Sequence, residues 1–207
     1  IDVRVKSEKP EFKKSIPIQV GIDFGTSYSK IGYRIIQEKA NFHPIVFDDP
    51  QTNSQSFCIP SIVHLKKDGD FFLGYEAYEN QDVLLDISPI RCLKVLVAGK
   101  YDKKFYNEDI DNTYNHIISH LNVSREIYKP EYLTSVLIAY LMNYSRKKIE
   151  NNPEYSNYSI VLSFNVCIPI DHIENNKVKE AFDKIFATSQ ILESEWNHLS
   201  CNLERLK

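Results

Sequence analysis

The stretch 20–33 constrains the fold more than any other part of this 207-residue chain. It reads Val-Gly-Ile-Asp-Phe-Gly-Thr-Ser-Tyr-Ser-Lys-Ile-Gly-Tyr, which is an apolar run, a short polar turn and a second alternating run. An apolar run and an alternating run joined by a Gly-containing turn predict two paired strands. We therefore predict a β-hairpin in which Asp23 ends the first strand and Lys30 lies on the second.

The turn of this hairpin has the chemistry of an anion site. Backbone N–H groups at a Gly-containing turn, with two neighbouring hydroxyls, form a concavity that suits phosphate oxygens. Asp23 can hold Mg²⁺ or its waters, and Lys30 adds a positive charge. A Walker-type loop is excluded because the required Gly, Lys and hydroxyl spacing does not occur. An ordinary hairpin with a polar turn is the alternative. The residues predicted to bind the phosphates of a cofactor are Gly25, Thr26, Ser27, Tyr28 and Lys30.

Residues 21–29, Gly-Ile-Asp-Phe-Gly-Thr-Ser-Tyr-Ser, resemble the first phosphate motif of the seventy-kilodalton heat-shock chaperones. These chaperones share a superfamily with actin and the sugar kinases. The resemblance implies an α/β fold, namely a ribonuclease-H-like lobe with a mixed sheet, flanking helices and a smaller outer subdomain. It also implies ATP or ADP with Mg²⁺ as cofactors and a catalytic role for Asp23, with the metal held through water. Lys30 differs from the chaperone motif and instead resembles actin and the sugar kinases, in which a Lys is common at this position.

A second resemblance concerns Lys94. The segment 91–96, Arg-Cys-Leu-Lys-Val-Leu, is similar to the family segment whose Lys reaches the γ-phosphate. This similarity implies a catalytic role for Lys94, which we expect to reach in from the outer subdomain when a cleft closes. A Lys reaching across a cleft would affect turnover more than binding. The alternative is a solvated Lys on an amphipathic helix.

The resemblance covers about residues 18–187 and predicts how the chain is divided. We expect a lead-in over residues 1–16, an inner subdomain from 17–56 and 130–207, and an outer subdomain over 57–129. The predicted strands are 18–24, 29–36, 44–47, 59–65, 70–73 and 158–170, the last covered on both faces. The predicted helices are 74–79, 90–97, one that begins at Pro130 and ends before 151–153, and one around Val178 to Phe186. Residues 48–56 are expected to form a loop, and 99–129 an irregular excursion.

Asp171 is a second candidate acid, because carboxylates at strand ends often line clefts in α/β folds. The alternative is structural, since Asp171 with Glu174 fits the N-terminal cap of the following helix. Both interpretations remain open on sequence alone.

Composition and charge narrow the function classes. A net charge of −3 offers no basic surface for nucleic acid, and no apolar run reaches the length of a membrane span. The four cysteines are scattered without a C-x-x-C pair, so we expect them to be reduced, mostly buried and in a cytoplasmic protein. Expected partners are a nucleotide and, by the resemblance, protein clients or co-chaperones.

Three functions fit the sequence. The first is the N-terminal lobe of a chaperone-like ATPase. The second is a metabolite kinase of the same superfamily, which the turn and Lys30 also suit. The third is a non-catalytic interaction scaffold, because the Glu-Pro turn expected after residue 187 is replaced by Glu193-Ser194-Glu195-Trp196. A ribonuclease-H-type nuclease would need several carboxylates, and only Asp23 is well placed.

The first residue is not Met, and the second phosphate hairpin and adenosine pocket would lie beyond residue 207. We therefore expect a piece of a longer protein that is a poor ATPase by itself.

Overall fold

The computed structural model describes residues 13–36, 41–66, 71–79, 89–168 and 174–196. Together they form an α/β structure in which helices flank a mixed sheet, which confirms the predicted class at this level. The strands are β1 Lys14–Asp23, β2 Tyr28–Ile35, β3 His43–Pro44, β4 Phe47–Asp49, β5 Ser54–Ser56, β6 Ile59–Pro60, β7 Val63–Leu65, β8 Phe71–Leu73 and β9 Tyr158–Cys167. The helices are α1 Gly74–Glu79, α2 Leu93–Tyr101, α3 Glu108–Leu121, α4 Pro130–Glu150 and α5 Asn176–Ser194.

The main sheet has the strand order β3-β2-β1-β9, and β6 pairs with the start of β2. Strand β1 is antiparallel to β2 and parallel to β9. The register sets Asp23 opposite Lys30 on one side and opposite Cys167 on the other. The predicted hairpin is therefore confirmed, and its turn lies beside the carboxyl end of β9.

One face of the main sheet is buried and the other is polar. On β1, Ile18, Val20 and Ile22 are fully buried and share a core with apolar residues of α2, α4 and α5. The expectation that β9 is covered on both faces was wrong, because Val161 is 55% exposed and Cys167 is also exposed. The residues between these two on the same face are polar and exposed. The burial of side chains therefore alternates along β9, as in a strand with one solvated face.

Helices α4 and α5 form where they were predicted. Pro130 occupies the first turn of α4, where its missing N–H is not needed, and the helix ends at Glu150. The side chain of Asn175 caps α5 by accepting a hydrogen bond from the N–H of Lys177 at 2.9 Å. Asp171 lies outside the described residues.

Several local predictions were wrong. The strand predicted over 44–47 is split, because His43–Pro44 pairs with β2 whereas Phe47–Asp49 begins a hairpin with β5. The helix predicted from residue 90 begins at Leu93, since Cys92 has a left-handed backbone with φ of 57°. The expected irregular excursion contains α3, whose first turn is capped by Asn107.

The strand predicted over 59–65 is also divided, and only its second part pairs with the strand predicted over 70–73. Strand β6 joins the main sheet, while β7 and β8 form a two-stranded sheet of their own. Helix α2 packs against both α4 and α5. The division into inner and outer subdomains stays a prediction. Within the described ranges, no helix is both long and apolar enough to cross a membrane.

Candidate functional site

The turn between β1 and β2 depends on a close backbone approach at Gly25. A Cβ atom built at Gly25 would lie 2.0 Å from the carbonyl oxygen of Tyr28. This atom belongs to the backbone and cannot rotate away, so the turn can close this tightly only around a glycine. Thr26 is half-buried, and Ser27 and Tyr28 are exposed.

A contact with Ser61 holds the outgoing side of the turn. The N–H of Ser61 donates to the carbonyl oxygen of Ser27 at 2.8 Å, and the hydroxyls of Ser29 and Ser61 lie 2.8 Å apart in a buried environment. Because buried hydroxyls are stable when they are paired, this contact fixes the turn against the segment after β6. Sequence reasoning missed Ser61, since no motif marks it.

Three polar side chains form a row at one end of the sheet, where β1 and β9 finish and β2 begins. Residues directly opposite each other on neighbouring strands project to the same face, so Lys30, Asp23 and Cys167 share one face. All three are exposed. A carboxylate thus lies between a positive charge and a thiol at the open end of β1.

Lys94 approaches the same place from α2. Its side chain is buried, with only 5% exposed, and its Nζ lies 5.4 Å from the centroid of the Phe24 ring. Burial lowers the pKa of the Lys94 ammonium, and the nearby Asp23 and Cys167 partly oppose this effect.

Burial excludes the solvated-lysine alternative for Lys94. The charge of Asp23 acts on the Lys94 ammonium in this structure, and the expected contact of Lys94 with a phosphate across a closing cleft stays a prediction. Within the part of the chain that the structure describes, Lys94 has neither a hydrogen bond nor an ion pair. An ammonium at the end of a largely buried side chain, without an ionic partner, would be stabilised by an anion that binds beside it.

The donor set fits a hydrated Mg²⁺ bound together with phosphate. Among the described residues, no group of three or more His, Cys, Asp or Glu side chains could hold a metal. Mg²⁺ usually keeps several waters and needs only one or two protein carboxylates when phosphate oxygens supply other ligands. Asp23, exposed at the strand end, can serve as that carboxylate.

The structure thus brings the sequence-predicted residues together. Asp23, the turn residues 25–28 and Lys30 belong to one hairpin, and Lys94 meets it from α2. Sequence reasoning missed Phe24, the ring beside Lys94, and Cys167, whose place depends on the register of β9. The expectation of mostly buried cysteines was wrong for the three described ones, because Cys167 is exposed and Cys58 and Cys92 are only partly buried. Cys201 lies outside the described residues.

Comparison with known proteins adds no assignment, because no protein-family model matches the chain and no curated protein matches it either.

Proposed function

We propose that this chain is the phosphate-binding lobe of a chaperone-like ATPase of the actin superfamily, with a ribonuclease-H-like fold. The proposed cofactors are ATP or ADP with Mg²⁺. The observation that carries the proposal is the position of Lys94 beside the ring of Phe24, the residue after Asp23, next to a turn that only glycine permits. Two segments that resemble phosphate-binding parts of one family are distant in sequence and adjacent in space.

Each residue has a distinct role in this proposal. The backbone of the turn 25–28 donates hydrogen bonds to phosphate oxygens, and Lys30 adds a charge at its exposed side. Asp23 would hold Mg²⁺ through water, and the metal would supply positive charge that neutralises the phosphates.

Lys94 supplies the second positive charge from the buried side. An incoming phosphate would give the Lys94 ammonium an ionic partner. The free energy of this ion pair would offset the cost of holding the charge in a largely buried side chain. Because Lys94 already lies beside Phe24, the residue that follows Asp23, we expect it to contribute to affinity as well as to turnover. For the protein that contains this lobe, we also propose that it hydrolyses ATP, that it binds protein clients or co-chaperones, and that it is cytoplasmic.

Calorimetric titration of the 207-residue chain tests the proposal. We expect ATP and inorganic triphosphate to bind in the presence of Mg²⁺, and adenosine not to bind, since the predicted contacts are to phosphate. Lys94→Met and Asp23→Asn should each weaken binding by about ten- to a hundredfold, which is the effect of losing one charge-assisted hydrogen bond.

The matched control is Lys179→Met, which removes an exposed charge on α5 and should leave binding unchanged. A melting curve of each variant separates lost binding from lost folding. Equal binding of triphosphate by Lys94→Met and the unmodified chain would refute the proposed role of Lys94.

A further inference from the structure

A cavity of about 490 Å³ lies between the β4–β5 hairpin, α1 and α4. None of its lining residues belongs to the turn between β1 and β2, and neither Asp23 nor Lys94 lines it. Its size falls within the range of small-molecule pockets in proteins. The cavity can therefore be examined independently of the proposed nucleotide site.

Aromatic rings form one wall of this cavity. Tyr144 stacks on Phe47 with ring centroids 4.9 Å apart, and the ring of Tyr140 lies 6.2 Å from that of Tyr144. The hydroxyl of Tyr75 donates to the carbonyl oxygen of Cys58 at 2.9 Å, which fixes a further ring of the lining. Mutual packing holds these rings in place, and a ligand would meet the partly buried Tyr75, Tyr140 and Tyr144 rather than Phe47, which is 1% exposed.

Carboxylates surround the aromatic wall. Asp48, Asp49, Glu76 and Glu79 line the cavity, whose described lining includes no Lys, Arg or His. Lys148 is close to this cavity: its Nζ lies 3.9 Å from a carboxylate oxygen of Asp48 and 5.4 Å from the ring centroid of Tyr144, so these two side chains already have a cationic partner. Burial raises the pKa of Tyr140, and the charge of Glu76 raises it further, as expected in a negative environment.

We propose that this cavity binds an organic cation, namely a primary ammonium or guanidinium group on an aliphatic stem. Ring faces attract such groups through their quadrupoles and pack against the stem, while the carboxylates compensate the charge. A bare metal ion would use neither the rings nor the length of the cavity. The described carboxylates also do not converge into a metal-holding group.

Two sources present this chemistry, and one experiment distinguishes them. The free source is a polyamine such as spermidine, and the other is a Lys or Arg side chain on a partner protein. Calorimetry of the 207-residue chain with spermidine, and with an Arg-containing peptide beside its Gln-substituted version, measures both. Binding of spermidine assigns the free cation, whereas binding of the Arg peptide alone assigns a partner side chain.

The variant that tests the site is Glu76→Gln combined with Glu79→Gln, which keeps side-chain volume and removes two charges. We expect about tenfold weaker binding from the loss of these two exposed charges, which solvent screens in part. Tyr140→Leu should weaken binding similarly, because it removes a ring face and leaves the carboxylates in place. The matched control is Glu180→Gln on α5, where an exposed charge is removed far from the lining in sequence.

Three results would overturn the proposal. The first is failure of spermidine and the Arg peptide alike to bind the unmodified chain. The second is equal binding by the double variant and Glu180→Gln. The third is unchanged binding in Tyr140→Leu, because a purely electrostatic attraction would not need the ring. Melting curves verify that each variant is folded.

Discussion

At the scale of single residues, the core contains a titratable side chain without a charge partner. His64, on β7, is 1% exposed, and neither of its ring nitrogens has a hydrogen-bond partner in the described residues. Burial lowers the pKa of its imidazole, and the nearby positive charge of Lys66 lowers it further. The ring is therefore neutral in the folded protein at neutral pH.

This burial makes stability dependent on pH in a defined direction. Below the ordinary His pKa of about 6.5, the unfolded chain binds a proton at His64 that the folded chain resists. The free energy of unfolding should therefore fall as pH falls through this value, by at most about 1.4 kcal/mol per pH unit for one proton. Urea unfolding of the unmodified chain and of His64→Leu, between pH 7.5 and 5, measures the difference.

We expect the His64→Leu variant to lose less stability than the unmodified chain over this range. His120→Gln is the matched control, since His120 is exposed on α3. If the unmodified chain and His64→Leu show the same slope with pH, His64 does not titrate differently on folding.

At the scale of elements, an ion pair connects the two long helices. The guanidinium of Arg146, on α4, makes two hydrogen bonds with the carboxylate of Glu193, on α5, one of them 3.1 Å long. The Glu193 side chain is 7% exposed and that of Arg146 is 34% exposed. The guanidinium carbon also lies 5.9 Å from the ring centroid of Phe164 on β9. The pair therefore joins three elements of the core.

Removing one partner of this pair should be worse than removing both. Arg146→Met leaves a buried carboxylate uncompensated, and we expect it to lower the free energy of unfolding by about 1–2 kcal/mol. This is less than a fully buried pair would lose, because a third of the Arg side chain is solvated. The double variant Arg146→Met with Glu193→Leu should recover most of the loss, and chemical denaturation measures all three proteins.

Glu150→Gln provides the control for this cycle. Glu150 makes a longer contact of 3.5 Å with Arg146 and is half-exposed, so its loss should change stability by less than about 0.5 kcal/mol. A double variant no more stable than Arg146→Met would show that the buried carboxylate does not cause the loss.

At the scale of the whole molecule, the described helices and sheet share one hydrophobic core. Residues of α2, of α4 and α5, and of the main sheet belong to a single buried cluster. The packing therefore favours a single cooperative unfolding transition.

Two probes test this cooperativity. Trp196 is the single tryptophan of the chain and lies 6.2 Å from the Tyr140 ring, so its fluorescence reports the packing of α4 against the region after α5. Far-ultraviolet circular dichroism reports all helices, including α2 and α3. We expect the two signals to change with the same denaturation midpoint. A separate loss of part of the helical signal would instead support independent subdomains.

The sequence by itself determined the elements whose signals are local. The β1–β2 hairpin follows from an apolar run, a Gly-containing turn and an alternating run, and α4 follows from its apolar stripe and Pro130. The prediction of a phosphate-binding turn also came from local features, because Asp23, the turn and Lys30 lie within eight consecutive positions of the sequence. Such features depend on backbone preferences and hydrogen bonds between neighbours in the chain.

Only the tertiary structure decided which distant residues join this turn. The burial of Lys94 beside Phe24, the contact of Ser61 with Ser27 and the register of Cys167 against Asp23 come from packing between separate elements. Strand β5 escaped prediction, and the bounds predicted for β3, β4 and β6 were wrong, since strands of two or three residues carry no measurable period. Periodicity indicates that one face of an element is buried, whereas the partner that covers it is chosen by the summed packing of the whole core.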